Sequence, residues 1–422
     1  MENSEIMAKI KSLTKEYFEN QERGFVAGQT KVQLSPLYNW EEAAEAIDSL
    51  LTTYVTMGKK VKQFEEIFSD YIGVKHGIMV NSGSSANLIA LSVLTNPNTK
   101  DKIMPGQEVI TPATTWSTTV FPIANVGLKP VLVDVDLETY DMNIEQTRKA
   151  MSSKTAAIMP VHLLGNPCEM DEIMEMAQDR DLYVLEDSCE AHGAEYKGKK
   201  VGSIGDIGTY SFFMSHHITT IEGGMVMTDD EDFAEMARAL RVFGWIRDLK
   251  KKDEIASKYS FIDKRFLFTT PGYNLRPTEI SGAFGIQQMK KLEHSLKVRS
   301  ENAEYWNKEL AEFSEHLILP EERPGTKHAW FGYPVTVKPE APFTKEDLVN
   351  FLEDRKIETR PIMAGNIEEQ PAMREISHRV VGDLKNSRMI LRRSMLWGNH
   401  QKIGKQEREY VASVVREFME KY

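Results

Sequence analysis

From His76 to Thr228, short β-branched runs alternate with helical stretches, and no other feature restricts the possible folds as much. HGIMVN, EVITPA, KPVLVDV, AAIMPVHL, LYVLED, IGTYSFF and GGMVMT read as buried strands. Between them, SANLIALSVL, NIEQTRKAM, MDEIMEMAQD and DEDFAEMARALRVF carry helical periodicity. This alternation predicts an α/β chain with a mostly parallel, seven-stranded sheet covered by helices on both faces. Such sheets bind ligands in the crevice beyond the carboxyl ends of their strands, so the residues that follow each strand are the candidates for chemistry. Residues 1–36 read as a helical extension with a polar connector, 37–300 as a large domain and 301–422 as a smaller C-terminal α+β domain.

Composition narrows the partners. The 422 residues carry 52 Lys+Arg against 63 Asp+Glu, a net charge of −11. A phosphate-backbone binder needs clustered Lys and Arg, so nucleic acid is not an expected partner. With 41% hydrophobic residues the chain has material for a buried core, and bulk disorder is excluded. The opening MENSEIMAKIKSLTKEYFENQER mixes charges and lacks the apolar stretch of a leader. The uncharged runs His76–Thr99 and Val109–Leu128 are broken by polar residues, Gly or Pro, so neither reads as a membrane span. The expectation is a cytoplasmic protein with no membrane partner. Only two cysteines, Cys168 and Cys189, are present, too few for a disulfide framework, a four-thiolate zinc site or an iron–sulfur cluster.

Three segments carry chemistry. NSGSSAN, Asn81 to Asn87, follows a strand and opens a helix. Its small residues let backbone N–H groups approach an anion at the positive helix end, which makes Gly83, Ser84 and Ser85 candidates for a phosphate cradle. An ordinary capped turn is the alternative. LYVLED ends on Asp187, with Glu190 one turn later. A carboxylate there can keep a heterocyclic nitrogen protonated, or simply cap a helix or form a salt bridge. In Thr209–Gly224 a strand is followed by His216 and His217, and Gly223-Gly224 begins the next strand. Adjacent histidines diverge in direction and no HExxH spacing occurs, so no metal is expected. One imidazole acting as acid and base near neutral pH is the functional reading. Trp116, after another strand, could stack on a flat ring or belong to the core.

In order and spacing these segments resemble the sugar aminotransferase family of fold-type I pyridoxal-phosphate enzymes, which act on nucleotide-linked keto sugars. The resemblance runs from about Trp40 to the C-terminus through VNSGSSAN, PATTWSTT, VDVDLETYDMN, VHLLGNP, LEDSCEAHGA, GSIGDIGTYSF, IEGGMV, PGYNLRPTEISGAFGIQQ, RPIMAGN and WGNHQ. In that family a lysine bonds covalently to the cofactor five residues after the serine of the SF strand. Counting from Ser211 gives His216, and no lysine occurs from Val201 to Leu249. The SHH-I-x-x-x-EGG pattern is similar to the 3-dehydratase branch, with a GDP-linked 4-keto-6-deoxyhexose favoured as substrate. A cluster-free dehydratase of a CDP-linked sugar is the alternative. A noncatalytic cofactor- or sugar-binding protein is the reading of a different class.

The resemblance implies pyridoxal phosphate and pyridoxamine phosphate held noncovalently, without an iron–sulfur cluster. His216 would move the proton while the hydroxyl on sugar carbon 3 leaves, and L-glutamate would restore the amine. Imidazole suits this because its unperturbed pKa, ~6.5, lies near operating pH. By the same resemblance Gly83, Ser84 and Ser211 should hold the cofactor phosphate, Trp116 should stack on the ring, and Asp187 should meet the pyridine nitrogen. Glu190 is placed beside the cofactor with a less defined role. Asn274, in GYNLRP, should reach the phosphate in a neighbouring subunit, which implies a homodimer with shared active sites. His217, Arg247 and Arg276 are assigned to the nucleotide-sugar substrate.

Overall fold

A computed structural model describes residues 2–21, 24–36 and 38–422. All seven expected strands form: β1 His76–Val80, β2 Glu108–Pro112, β3 Lys129–Val133, β4 Thr155–Ile158, β5 Tyr183–Asp187, β6 Ile207–Ser211 and β7 Gly224–Thr228. They are ordered β1-β7-β6-β5-β4-β2-β3. β7 runs antiparallel between β1 and β6, and the other neighbours are parallel. Both faces are covered, so the strands are buried along nearly their whole length and read as continuous apolar runs rather than alternating ones. Successive residues still point to opposite faces. Met79, Ile110 and Val184 join the cluster around Phe64 and Phe68, whereas Ile78, Val109 and Leu185 join that around Ile89 and Leu91.

The sheet also has an eighth strand, which corrects the expected count of seven. Arg379–Val380 adds in parallel to β3. Two residues carry no readable period, so this strand has no sequence signature. It comes from the C-terminal third, whose own antiparallel sheet is ordered Leu317–Ile318, Gly332–Val337, Ser394–Gly398 and Thr359–Pro361. The helix Leu292–Leu310 runs through residue 300: Leu292 and Leu296 pack in the large core, and Ala303, Trp306 and Leu310 in the small one. Among the described residues no helix is long and apolar enough to cross a membrane.

Candidate active site

A cavity of about 420 Å³ opens beyond the ends of β5 and β6, against the N-terminus of the helix Gly83–Thr95. Ser82 starts that helix in extended conformation, and its Oγ accepts the Ser85 N–H at 3.1 Å. The serines beyond it are also tied down: Ser84 Oγ donates to Thr118 Oγ1 at 3.0 Å and Ser85 Oγ to Asn81 Oδ1 at 2.6 Å. The first amides of a helix have no intrahelical acceptor, so this corner presents donors and partial positive charge to the cavity. Two glycines make the approach possible. A Cβ on Gly83 would overlap Ser211 Cβ and stand 2.9 Å from its Oγ and 3.1 Å from Cys189 Sγ. A Cβ on Gly224 would strike the Ser82 carbonyl, with Gly83 N 2.7 Å away.

Asp187 is the last residue of β5 and is nearly fully buried. Its Oδ2 accepts from Asn87 Nδ2 at 2.9 Å and Thr119 Oγ1 at 2.8 Å. Asn87 is fixed in turn by Thr209 Oγ1, which donates to Asn87 Oδ1 at 2.6 Å from the paired position on β6. Oδ1 receives only the Cys189 N–H, at 3.2 Å, and Asp187 lines the cavity. The carboxylate is thus held rigid on one side and keeps acceptor capacity on the other. Trp116 borders the same space, 48% exposed, although it starts a helix inside the domain.

Glu190 Oε2 accepts the Leu164 N–H at 2.9 Å. Withdrawal from water, reinforced by the nearby Asp187 charge, pushes its carboxyl up to about 7, against the opposing pull of that N–H and of Arg360. His216 lines the cavity with its ring centroid 5.2 Å from that of Phe331, and its Nδ1 is buried without a hydrogen-bond partner. Burial first, then the positive charges of Arg299 and Arg360, push its imidazole down to about 3. At neutral pH His216 is therefore unprotonated, and in this enclosed setting it is a weaker base than the near-neutral imidazole expected from the sequence.

Not every expected residue reaches the cavity. His217 points into the protein, 1% exposed, where its Nε2 donates to the Ala329 carbonyl at 2.8 Å. Its assignment to substrate contact is corrected on that ground: neighbouring residues in a turn project apart. Arg247 and Arg276 are exposed and do not line the cavity; each lies over an aromatic ring, Trp245 and Phe243. Asn274 is exposed too, its Oδ1 accepting from Arg276 Nε at 3.1 Å, and it does not line this chain's own cavity.

The residue that the sequence reading passed over is Arg360. It lies on the strand Thr359–Pro361 of the small sheet, lines the cavity, and stands 6.0 Å from the Trp116 ring centroid. The motif RPIMAGN contains it, but nothing local distinguishes a cavity arginine from a surface one. Glu222 and Phe331 complete the mouth and rear wall in the same way.

The sheet order, the helix-end cradle and the buried strand-end carboxylate define the large domain of fold-type I pyridoxal-phosphate enzymes. The chain belongs to the DegT/DnrJ/EryC1/StrS aminotransferase family, which it matches over residues 38–416. It is 39% identical over 367 residues to the GDP-4-keto-6-deoxy-D-mannose 3-dehydratase of Yersinia pseudotuberculosis, covering 86% of this chain and 92% of that one. Among solved structures it is similar to a GDP-4-keto-6-deoxymannose-3-dehydratase mutant with bound GDP-perosamine, with TM-score 0.86, 36% identity, and coverage of 91% of this chain and 100% of that one. Another structure of that enzyme, with a trapped PLP-glutamate geminal diamine, matches at TM-score 0.85 and 36% identity, over 90% of this chain and 99% of that one.

Proposed function

We propose that this chain is a nucleotide-sugar 3-dehydratase that uses pyridoxamine and pyridoxal phosphate with L-glutamate as amino donor. Its favoured substrate is GDP-4-keto-6-deoxy-D-mannose, and it works in the cytoplasm. The observation that supports this reading is His216. It lines the cavity five residues after Ser211, where the resemblance expects the family's lysine, and no lysine lines that cavity among the described residues.

The residues present fit the cofactor. The close approach of Gly83 and Gly224 leaves room for backbone amides and Ser84 and Ser211 to hold a phosphate, but no room for a Cβ. Asp187 Oδ1 is placed to meet a protonated ring nitrogen, and Trp116 offers an aromatic face. When bound, the group supplies a primary amine for the sugar's 4-keto carbon and a ring that withdraws electrons while the carbon-3 hydroxyl departs. Asp187, held by Asn87 and Thr119 so that it cannot turn away, would keep that ring's nitrogen charged. His216 would take up a proton at the edge of its imidazole that lines the cavity, and return it there; its Nδ1 is buried and unpartnered. Phe331 packs against that ring and limits water around it. Arg360 supplies the cavity's positive charge for an anionic substrate or the carboxylates of L-glutamate.

The dimer belongs to the same proposal. Asn274 and Arg276 are exposed and outside their own cavity. Phe213, Met214, Ile221, Phe266 and Phe268 are exposed apolar side chains, as expected of a surface that a second copy covers.

The test is incubation with pyridoxal phosphate, L-glutamate and either GDP- or CDP-4-keto-6-deoxyhexose. Loss of the carbon-3 oxygen with ammonia release, favouring the GDP sugar, is expected. A 4-amino sugar as sole product refutes the dehydratase reading, and preference for the CDP sugar refutes the base assignment.

A further inference from the structure

Joined to His216 through Phe331 is a cation that the reaction scheme does not use. Arg299, on the helix Leu292–Leu310, is fully buried, with 0% exposure. Its Nη1 donates to the carbonyls of Trp330 at 3.0 Å, Phe331 at 2.9 Å and Asn399, and its Nε reaches Ser295 Oγ at 3.3 Å. Nη2 has no partner, and burial is the only influence on its protonation, so no carboxylate neutralises it among the described residues. A buried charge without a counter-ion is costly, and removing it should be easy unless the charge has a use.

The three carbonyls are not arbitrary. Trp330 has a left-handed backbone, φ 52°, strained for a residue with a Cβ. Its N–H donates to His328 Nδ1 at 2.8 Å, and the two rings stack at 3.8 Å. On either side, the Ala329 N–H donates to the Gly165 carbonyl and the Phe331 N–H to the Leu164 carbonyl, each at 2.8 Å. Leu164, φ 56°, is itself left-handed and donates its N–H to Glu190. This strained loop thus presents the Phe331 ring to His216, the Ala329 carbonyl to His217, and the Trp330 and Phe331 carbonyls to Arg299.

We propose that Arg299 is a positioning residue for His216: its guanidinium gathers the Trp330 and Phe331 carbonyls and so seats the Phe331 ring against the imidazole. The inference rests on the reading of His216 as the proton-transferring group. The need is physical. A proton-transferring ring works only in one orientation, and Phe331 is the aromatic wall that sets it; burial first, and then the Arg299 charge, also disfavour protonation of that ring. The charged and titratable groups around His216 are Arg299, whose charge reaches it, Arg360 from the small sheet, His192 at 6.0 Å between ring centroids, and the adjacent His217; Asp187, Glu190 and Glu222 share its cavity. The same Arg299 charge also disfavours protonation of His192, His217 and His400, so the whole buried cluster stays neutral.

The test follows the His216 ring by NMR of histidine-labelled protein, assigned with H216N, alongside the acidic limb of kcat/KM. In the native protein the His216 signal should not titrate down to pH ~5. Arg299→Met should bring its midpoint up into the observed range above pH ~5, with the acidic limb moving the same way. Arg299→Lys keeps the charge and should leave the midpoint low while lowering kcat, because an ammonium does not reproduce the planar guanidinium contacts. Should Arg299→Met fail to fold, Ser295→Asp pairs the charge without removing it and should shift the midpoint the same way. An unchanged midpoint in a folded Arg299→Met or Ser295→Asp protein overturns the inference, as does an equal shift in Arg299→Lys. The NMR titration needs no substrate, so it stands apart from failure of the dehydratase reading, which the product assay reports.

Discussion

Asp187→Asn isolates what the strand-end carboxylate contributes. Its Oδ2 is claimed by two donors, Asn87 Nδ2 at 2.9 Å and Thr119 Oγ1 at 2.8 Å, and Oδ1 by the Cys189 N–H at 3.2 Å. Every protein group facing this side chain donates. An amide in its place offers one oxygen and one NH2. The oxygen satisfies the Asn87 and Thr119 side, so the NH2 faces the Cys189 N–H and the cavity, donor against donor. A protonated ring nitrogen then loses both its acceptor and its counter-charge. A hydrogen bond to a charged group contributes about 1.5–3 kcal/mol, which corresponds to a loss of ~10–150-fold in cofactor affinity. Equilibrium titration of the apo protein with pyridoxal phosphate, followed by absorbance, measures it. The shape is unchanged, so thermal unfolding of the cofactor-free variant should remain cooperative. A folded Asp187→Asn protein that binds cofactor as tightly as the native chain refutes the placement of the ring nitrogen.

Three other outcomes follow from the same geometry. Gly83→Ala forces an atom onto Ser211, so overpacking of about 1–3 kcal/mol should lower the unfolding midpoint and weaken inorganic phosphate or cofactor binding together; retention of both contradicts the cradle. His216→Lys should give a protein–cofactor adduct trapped by borohydride and visible by mass spectrometry, with loss of 3-dehydration; no adduct argues against the positional correspondence. Glu190, raised by burial from 4.5 to about 7, binds its proton more tightly folded than unfolded. Its contribution to native stability is therefore present at low pH and is lost as pH rises through that window, at up to about 1.4 kcal/mol per unit. Relative to the native chain, Glu190→Gln should gain stability between pH ~4.5 and ~7 in denaturant titrations, and a constant difference would exclude the raised carboxyl.

Much of this protein is legible without coordinates because its signals are local. A strand buried on both faces needs an unbroken apolar run, and a helix start needs a side-chain acceptor, so β1 to β7 and the Ser82 cap can be read from neighbouring residues alone. Asp187 and Ser211 are placed at the crevice by being the last residues of parallel strands, and His216 by its distance from Ser211. The sequence by itself therefore determined the α/β layering and most of the cavity floor. Only the tertiary structure decided the rear wall and the electrostatics. Arg360, Phe331 and Arg299 arrive from segments more than 80 residues beyond His216, and their approach depends on how two cores share the helix Leu292–Leu310. His217 turns inward and Arg247 and Arg276 stay on the surface for the same reason. The tendency of a segment to be strand or helix is set by near neighbours, but the direction of a charged side chain is set by whatever distant surface is buried against it.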